Sequence, residues 1–132
     1  NICRNYKLLT SIKGVGPITA IVMLCSTLNF TKITDHRKFA CYCGLAPFEH
    51  SSGTSVRGGC HTSSMANRDI KVQLNRSALI AIRCDPQLKA YYERKVAEGK
   101  HKFSVLNAVR AKIAARCFAV VRRGTPYVAL QI

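Results

Sequence analysis

Apolar residues recur at helical spacing along most of the 132-residue chain, and period-two alternation is scarce. Leu8, Leu9 and Ile12 share one face of a first helix, which breaks at Lys13-Gly14-Val15-Gly16. Pro17 then stands at a first helical position, which its fixed φ suits, and Ile18 to Leu24 continues as an apolar helix. After a connector over Thr27 to Ile33, Thr34 is placed as an N-cap, with Asp35 in the first turn where negative charge suits the helix dipole. That helix is expected to turn Phe39, Ala40 and Cys43 inward and to stop at Gly44.

From Leu45 to Ser64 the periodicity lapses. Pro47, Gly53, Gly58, Gly59 and many Ser and Thr residues predict a polar loop, with at most a short hairpin around Ser52-Gly53-Thr54. Ser63 or Ser64 then caps a long helix from about Met65 to Arg83, striped by Ile70, Leu74, Ala78 with Leu79, and Ile82. Asp85-Pro86 reads as N-cap plus first helical residue of a helix carrying Leu88, Tyr91, Tyr92 and Val96 and closed by Gly99. Ser104 is expected to cap the last helix, whose stripe is Leu106, Val109, Ile113, Cys117, Val120 and Val121 and whose end is Gly124-Thr125-Pro126. The fold class predicted is mainly α: a single domain of about six helices with no internal repeat.

Charge narrows the function. Twenty-one Lys and Arg against six Asp and Glu give a net charge of +15. Basic residues run from Arg4 to Arg123 and are not confined to one amphipathic helix, so DNA or RNA phosphates fit better than a membrane surface. The longest apolar run, Ala20 to Cys25, is far short of the roughly 20 residues a bilayer span needs. No apolar stretch follows a basic start, so no signal peptide is expected. The chain begins at Asn1 and not at Met, which reads as a piece of a longer protein. Seven cysteines at irregular spacings, several at apolar helix positions, point to reduced thiols in a cytosolic setting and not to a disulfide scaffold.

Three groups of residues could carry chemistry. Ile12-x-Gly14-Val15-Gly16-x-x-Thr19-Ala20, between two helices, has the form of a helix-hairpin-helix over residues 4–26. In that motif glycines let backbone N–H groups approach a phosphate at a helix N-terminus. It nominates Lys13, Gly14, Val15, Gly16 and Thr19 as nucleic-acid contacts, and Arg57, Arg68, Lys71 and Arg76 extend the basic surface; an ordinary helix–helix turn is the alternative. The central loop offers Ser51 and Ser52 beside His50, Arg57 and His61, the residue types needed for an attacking hydroxyl, its proton acceptor and a cation for the transition-state charge. A plain Ser-Ser-Gly turn would have the same sequence. Cys41-x-Cys43, His50 and Cys60-His61 lack the paired spacing of a zinc knuckle, so no metal site is expected. Asp35, Asp69 and Asp85 lie near helix starts, and no carboxylates cluster as a two-metal phosphoryl-transfer site requires.

The ordered blocks together are more specific than any one motif. Leu8-Leu9-Thr10-Ser11-Ile12-x-Gly14-Val15-Gly16-Pro17-x-Thr19-Ala20 precedes Phe39-Ala40-x-x-x-Gly44-Leu45-Ala46-Pro47-x-x-x-x-Ser52-Gly53. Tyr91-Tyr92-Glu93-Arg94 and Arg123-Gly124-Thr125-Pro126-Tyr127 follow. Across nearly its whole length the chain resembles the C-terminal domain of the transposases of insertion sequences one-ten, one-sixteen and nine-oh-two, relatives of the pilin-gene inverting recombinases. The resemblance implies a separate N-terminal RuvC-like domain whose DEDD carboxylates bind Mg²⁺. It also implies an oligomer with a composite site, DNA as substrate and, for some relatives, a structured guide RNA. The family serine, which joins covalently to DNA, falls on Ser52, with Ser51 as the other candidate. One block departs from the pattern. Many relatives carry Arg-Ile-Ser/Thr-Lys-x-Gly-Asn after the serine loop, where this chain has Cys60-His61-Thr62-Ser63-Ser64-Met65-Ala66-Asn67, keeping the asparagine and losing the lysine and glycine.

Overall fold

One short apolar helix near the N-terminus packs against a long central helix, and two later helices pack against that same helix. In the computed structural model, which describes residues 2–42 and 64–128, α1 spans Ile2–Thr10, α2 Pro17–Ser26, α3 His36–Tyr42, α4 Ser64–Cys84, α5 Pro86–Ala97 and α6 Lys102–Arg123. These six are the helices of the described residues, which contain no strand. The mainly α expectation is met. None of these helices is long and apolar enough to cross a membrane.

Among the described residues the predicted stops fall where the chain chemistry puts them; the stop expected at Gly44 lies outside those residues. Helix α1 closes with Thr10 Oγ1 donating to the Tyr6 carbonyl at 3.1 Å, followed by tight turns from Ser11 N to Leu8 O and Ile12 N to Leu9 O. Pro17 opens α2 behind the extended Gly16, and Gly124, left-handed at φ 74°, ends α6 with its N–H on the Val120 carbonyl. Asp85 caps α5 as expected: Oδ1 accepts from Gln87 N at 2.9 Å and from Leu88 N at 3.4 Å.

Two caps differ from expectation. Asp35 and not Thr34 caps α3, accepting from Arg37 N at 3.2 Å, because a carboxylate two residues from the first orphan donors reaches them directly. His101 and not Ser104 caps α6: its Nδ1 lone pair accepts from Phe103 N at 3.1 Å, and Ser104 already lies inside the helix. A neutral imidazole nitrogen serves as the acceptor usually provided by an oxygen.

The core lies where α4 packs against α2, α5 and α6, with α1 and α3 closing over α6. Ile70, Leu74, Ala78 and Ala81 of α4 face Ala20, Met23 and Leu24 of α2, Leu88 of α5, and Val109, Ile113, Cys117, Phe118 and Val120 of α6 within one buried cluster. The expected α4 stripe shifts slightly, since Ala81 is buried while Ile82 is half-buried and Leu79 reaches solvent. Phe39 is fully buried, tilted against Phe118 at 5.4 Å between ring centroids.

Between α2 and α3 the backbone turns left-handed at three successive non-glycine residues, Leu28, Asn29 and Phe30, with φ of 51°, 60° and 64°. Each L-residue costs roughly 1–2 kcal/mol in this conformation, so it survives only because its surroundings hold it. Thr27 does so from both sides: its Oγ1 donates to the Met23 carbonyl at 2.7 Å and accepts from Phe30 N at 2.9 Å. Asn5 Nδ2 donates to Asn29 Oδ1 at 2.8 Å, and the Phe30 ring stands edge-on to Phe118 at 4.9 Å.

Candidate nucleic-acid interface

The turn over residues 11–16 joins α1 to α2, the arrangement the helix-hairpin-helix reading requires, but its residues divide between two surfaces. Gly14 is left-handed at φ 94°, and a Cβ there would stand 2.8 Å from the Ser77 carbonyl and 3.1 Å from Ala81 Cβ on α4. Its missing side chain is thus explained by close approach to α4. Val15 is buried, and Thr19 Oγ1 lies 3.1 Å from Ser77 Oγ in the same buried contact. Lys13 is exposed, and nothing lies within 4 Å of a Cβ added to Gly16. Lys13 and Gly16 therefore form the solvent side of the turn, while Val15, Thr19 and the open face of Gly14 join it to α4.

Helix α4 adds cations to the outside. Lys71, Arg76 and Arg83 are exposed; Arg68 lies on the same helix, with a side chain outside the described ones. Ser51, Ser52, His50, Arg57 and His61 lie outside the described residues, as do the side chains of Cys41 and Cys43 and the whole of Cys60.

Three of the five described carboxylates are committed elsewhere, and Asp69 and Glu93 are exposed on α4 and α5. Asp35 caps α3, Glu98 pairs with Lys95 at 3.5 Å, and Asp85 both caps α5 and receives Arg116 Nη1 at 2.7 Å. Burial by itself pushes the Asp85 carboxyl up. The hydrogen bond and positive charge of Arg116, with the N–H groups of Gln87 and Leu88, outweigh it and hold Asp85 below the ordinary 3.8. Magnesium in phosphoryl transfer needs several converging acids. Among the described residues no three His, Cys, Asp or Glu side chains gather to hold a metal, so these residues do not fit such a site.

Residues 6–93 match the family described as Transposase IS116/IS110/IS902. This chain belongs to that transposase family. It is similar to the uncharacterized 43.6 kDa protein of insertion element IS110 from Streptomyces coelicolor, 39% identical over 90% of this chain and 29% of that protein. The pilin gene-inverting protein of Moraxella lacunata is 26% identical over 93% of this chain and 39% of its own length. The uncharacterized 42 kDa protein of insertion element IS900 from Mycobacterium paratuberculosis is 30% identical over 83% and 28%. The chain thus spans well under half the length of the curated relatives it matches.

In this transposase-family chain, sequence reasoning missed the contacts made across long separations. The Asp85–Arg116 pair joins residues 31 apart, Thr19 meets Ser77 58 apart, and Ser11 Oγ accepts from Tyr127 N at 2.9 Å, 116 apart. No periodicity within one helix announces such partners. The cations around Tyr91 carried a signal that could have been used: Arg94 and Lys95 follow it by three and four residues, the spacing that shares a helix face.

Proposed function

We propose that this chain is the nucleic-acid-binding, serine-bearing domain of a longer transposase or recombinase that cuts and rejoins DNA through a serine–DNA intermediate. Family membership carries the reading, because the likeness extends both to insertion-element proteins and to pilin gene-inverting proteins. The charge of +15 supports DNA as partner. Ser52 is the proposed nucleophile, with Ser51 next in line. Its Oγ attacks a phosphodiester, giving up its proton to a neighbouring base, for which His50 and His61 are candidates, and displacing a sugar hydroxyl. A second strand's hydroxyl then attacks the phosphoserine ester and releases the serine. Arg57 is suited to the charge that builds on the phosphoryl oxygens.

The carboxylates for magnesium are proposed to reside in another part of the longer protein, with subunits of an oligomer sharing one site and some members using a guide RNA. A cytosolic location follows from the same reading. The test uses the longer protein. Denatured protein from a strand-exchange reaction should carry covalently bound DNA, and Ser52→Ala should remove both the adduct and recombination while DNA binding persists. The commitment of Asp35, Asp85 and Glu98 to caps and ion pairs favours one second reading, a binding module with no covalent chemistry. Recombination by Ser52→Ala and Ser51→Ala variants at the normal rate would establish that reading instead.

A further inference from the structure

Helices α5 and α6 fold against each other as a hairpin and leave between them a cleft of about 850 Å³. Its floor is apolar, made by Pro86, Leu88, Ala90 and Ala115. Two of its lining residues are small, Ala90 on α5 and Ala115 on α6. Its rim is cationic. Lys112 Nζ stands 4.6 Å from the centroid of the Tyr91 ring, and the Arg94 guanidinium carbon 5.7 Å from it. Arg116, the third cation of the cleft, is turned inward to Asp85 and Gln87. Among the described residues no carboxylate pairs with Arg94 or Lys112.

We propose that this cleft is a second nucleic-acid site, one that seats an unpaired nucleotide of a DNA single strand. This extends the reading of the chain as a nucleic-acid-binding domain and rests on it. An apolar floor beside an aromatic ring suits the faces of a base and a deoxyribose, and two cations with no carboxylate partner suit the phosphates on either side. A duplex fits poorly, because its bases are stacked inward and it would offer only its backbone to the rim. DNA suits the cleft better than RNA, since none of the four floor side chains carries a polar atom for a 2′-hydroxyl and, of the uncharged polar groups in the lining, Gln87 already holds Arg116, which leaves the Tyr91 hydroxyl. The cleft is thus suited to a strand already separated from its complement, the condition of DNA being exchanged.

The test separates shape from charge. Ala90→Leu fills the floor, keeps every charge and places a good helix former at an exposed position. With the 132-residue chain, fluorescence anisotropy is measured on labelled oligothymidylate, oligouridylate and a short blunt duplex. Ala90→Leu is expected to weaken oligothymidylate binding by roughly tenfold while leaving duplex binding and the salt slope unchanged. Arg94→Glu with Lys112→Glu should weaken the single strand more than the duplex. Lys13→Glu, on the turn, should do the reverse. Unfolding curves for each variant check that the fold is kept. Unchanged oligothymidylate affinity in both the Ala90→Leu and the double variant, with Lys13→Glu still impaired, overturns the cleft and leaves the domain reading intact. Oligouridylate bound more tightly than oligothymidylate overturns the choice of DNA. A wild-type chain that binds none of the three overturns both readings.

Discussion

Arg116 of α6 and Asp85 at the head of α5 meet at 2.7 Å, with both side chains largely withdrawn from water at 16% and 4% exposure. The carboxylate does two jobs: Oδ1 takes the first N–H groups of α5 while Oδ2 takes the guanidinium, so one residue fixes both the start of a helix and its angle to the next. Arg116 also lies over the Tyr127 ring at 4.9 Å, tying the segment after α6 into the same corner. Removing the arginine leaves a buried carboxylate without its cation. Arg116→Ala is therefore expected to lower unfolding stability by about 3 kcal/mol, measured by urea denaturation at neutral pH. The pH dependence has a definite sign. Asp85 is held below 3.8 in the folded state, so its contribution is complete above that value and is lost as pH falls through the depressed folded value. Asp85→Asn keeps a capping oxygen but should flatten that part of the acid limb. An acid limb identical to wild type would show that the pair contributes nothing to it.

The left-handed turn gives a prediction of opposite direction. Leu28 adopts φ 51° with the residue 58% exposed, so it bears a conformational cost with little burial in return. Asparagine tolerates this region far better than a bulky aliphatic residue. Leu28→Asn should raise stability by about 1 kcal/mol, seen as a higher urea midpoint at unchanged slope. Position 29 already carries the tolerant asparagine, whose Oδ1 also receives Asn5. A lower midpoint for Leu28→Asn would mean that the exposed leucine is held by apolar contact and not merely tolerated.

How far the sequence could be read follows from what each feature depends on. Helix existence and extent were legible because the apolar period, Asp85-Pro86, Pro17 and the glycines at 99 and 124 are local signals that local geometry obeys. The cap of α3 was misplaced by one residue and that of α6 by three, since Thr34, Asp35, His101 and Ser104 all carry suitable acceptors and only backbone direction decides among them. The run at 28–30 was illegible, because Leu-Asn-Phe has no residue that demands positive φ. On the candidate interface, the openness of Lys13 and Gly16 to solvent could be read from the turn residues themselves. Gly14 could not, since a glycine that admits a phosphate and one that admits a neighbouring helix look alike in one dimension. The segment bearing Ser52 lies outside the described residues, and the assignment of that serine rests on the ordered sequence blocks flanking it.

Cys117 illustrates how burial alone governs a thiol. It is fully buried on α6, and loss of water pushes its pKa up from 9.0 to about 12. Cys3, Cys25 and Cys84 are exposed. Iodoacetamide at mildly alkaline pH is expected to modify those three readily and to reach Cys117 only through unfolding, a contrast that peptide mass spectrometry resolves. The same shift affects stability. Above 9.0 the unfolded chain loses this proton while the folded one keeps it until about 12, so the native state weakens across that window. Cys117→Ala should soften the alkaline decline while costing stability at neutral pH through the cavity it leaves. Rapid native labelling of Cys117 would place it nearer solvent than this packing allows.

The two glycines of the turn test the interface most directly. Gly14 has both a positive φ and a backbone carbonyl 2.8 Å from where a Cβ would lie, whereas Gly16 has φ −96° and open space. Gly14→Ala should therefore lower stability by about 2 kcal/mol by strain and by prising α2 from α4. Gly16→Ala should change stability by less than about 0.5 kcal/mol. Binding should show the opposite ranking once charge is added at the open position. Gly16→Glu places a carboxylate at the N-terminus of α2, where a phosphate would otherwise approach unopposed N–H groups. It should weaken duplex binding several-fold and make the salt slope shallower, with an unfolding curve close to wild type. A Gly16→Glu variant with normal affinity and normal salt slope would leave the turn as a packing device for α1, α2 and α4, and would shift the search for the duplex contact to the exposed Lys71, Arg76 and Arg83 of α4.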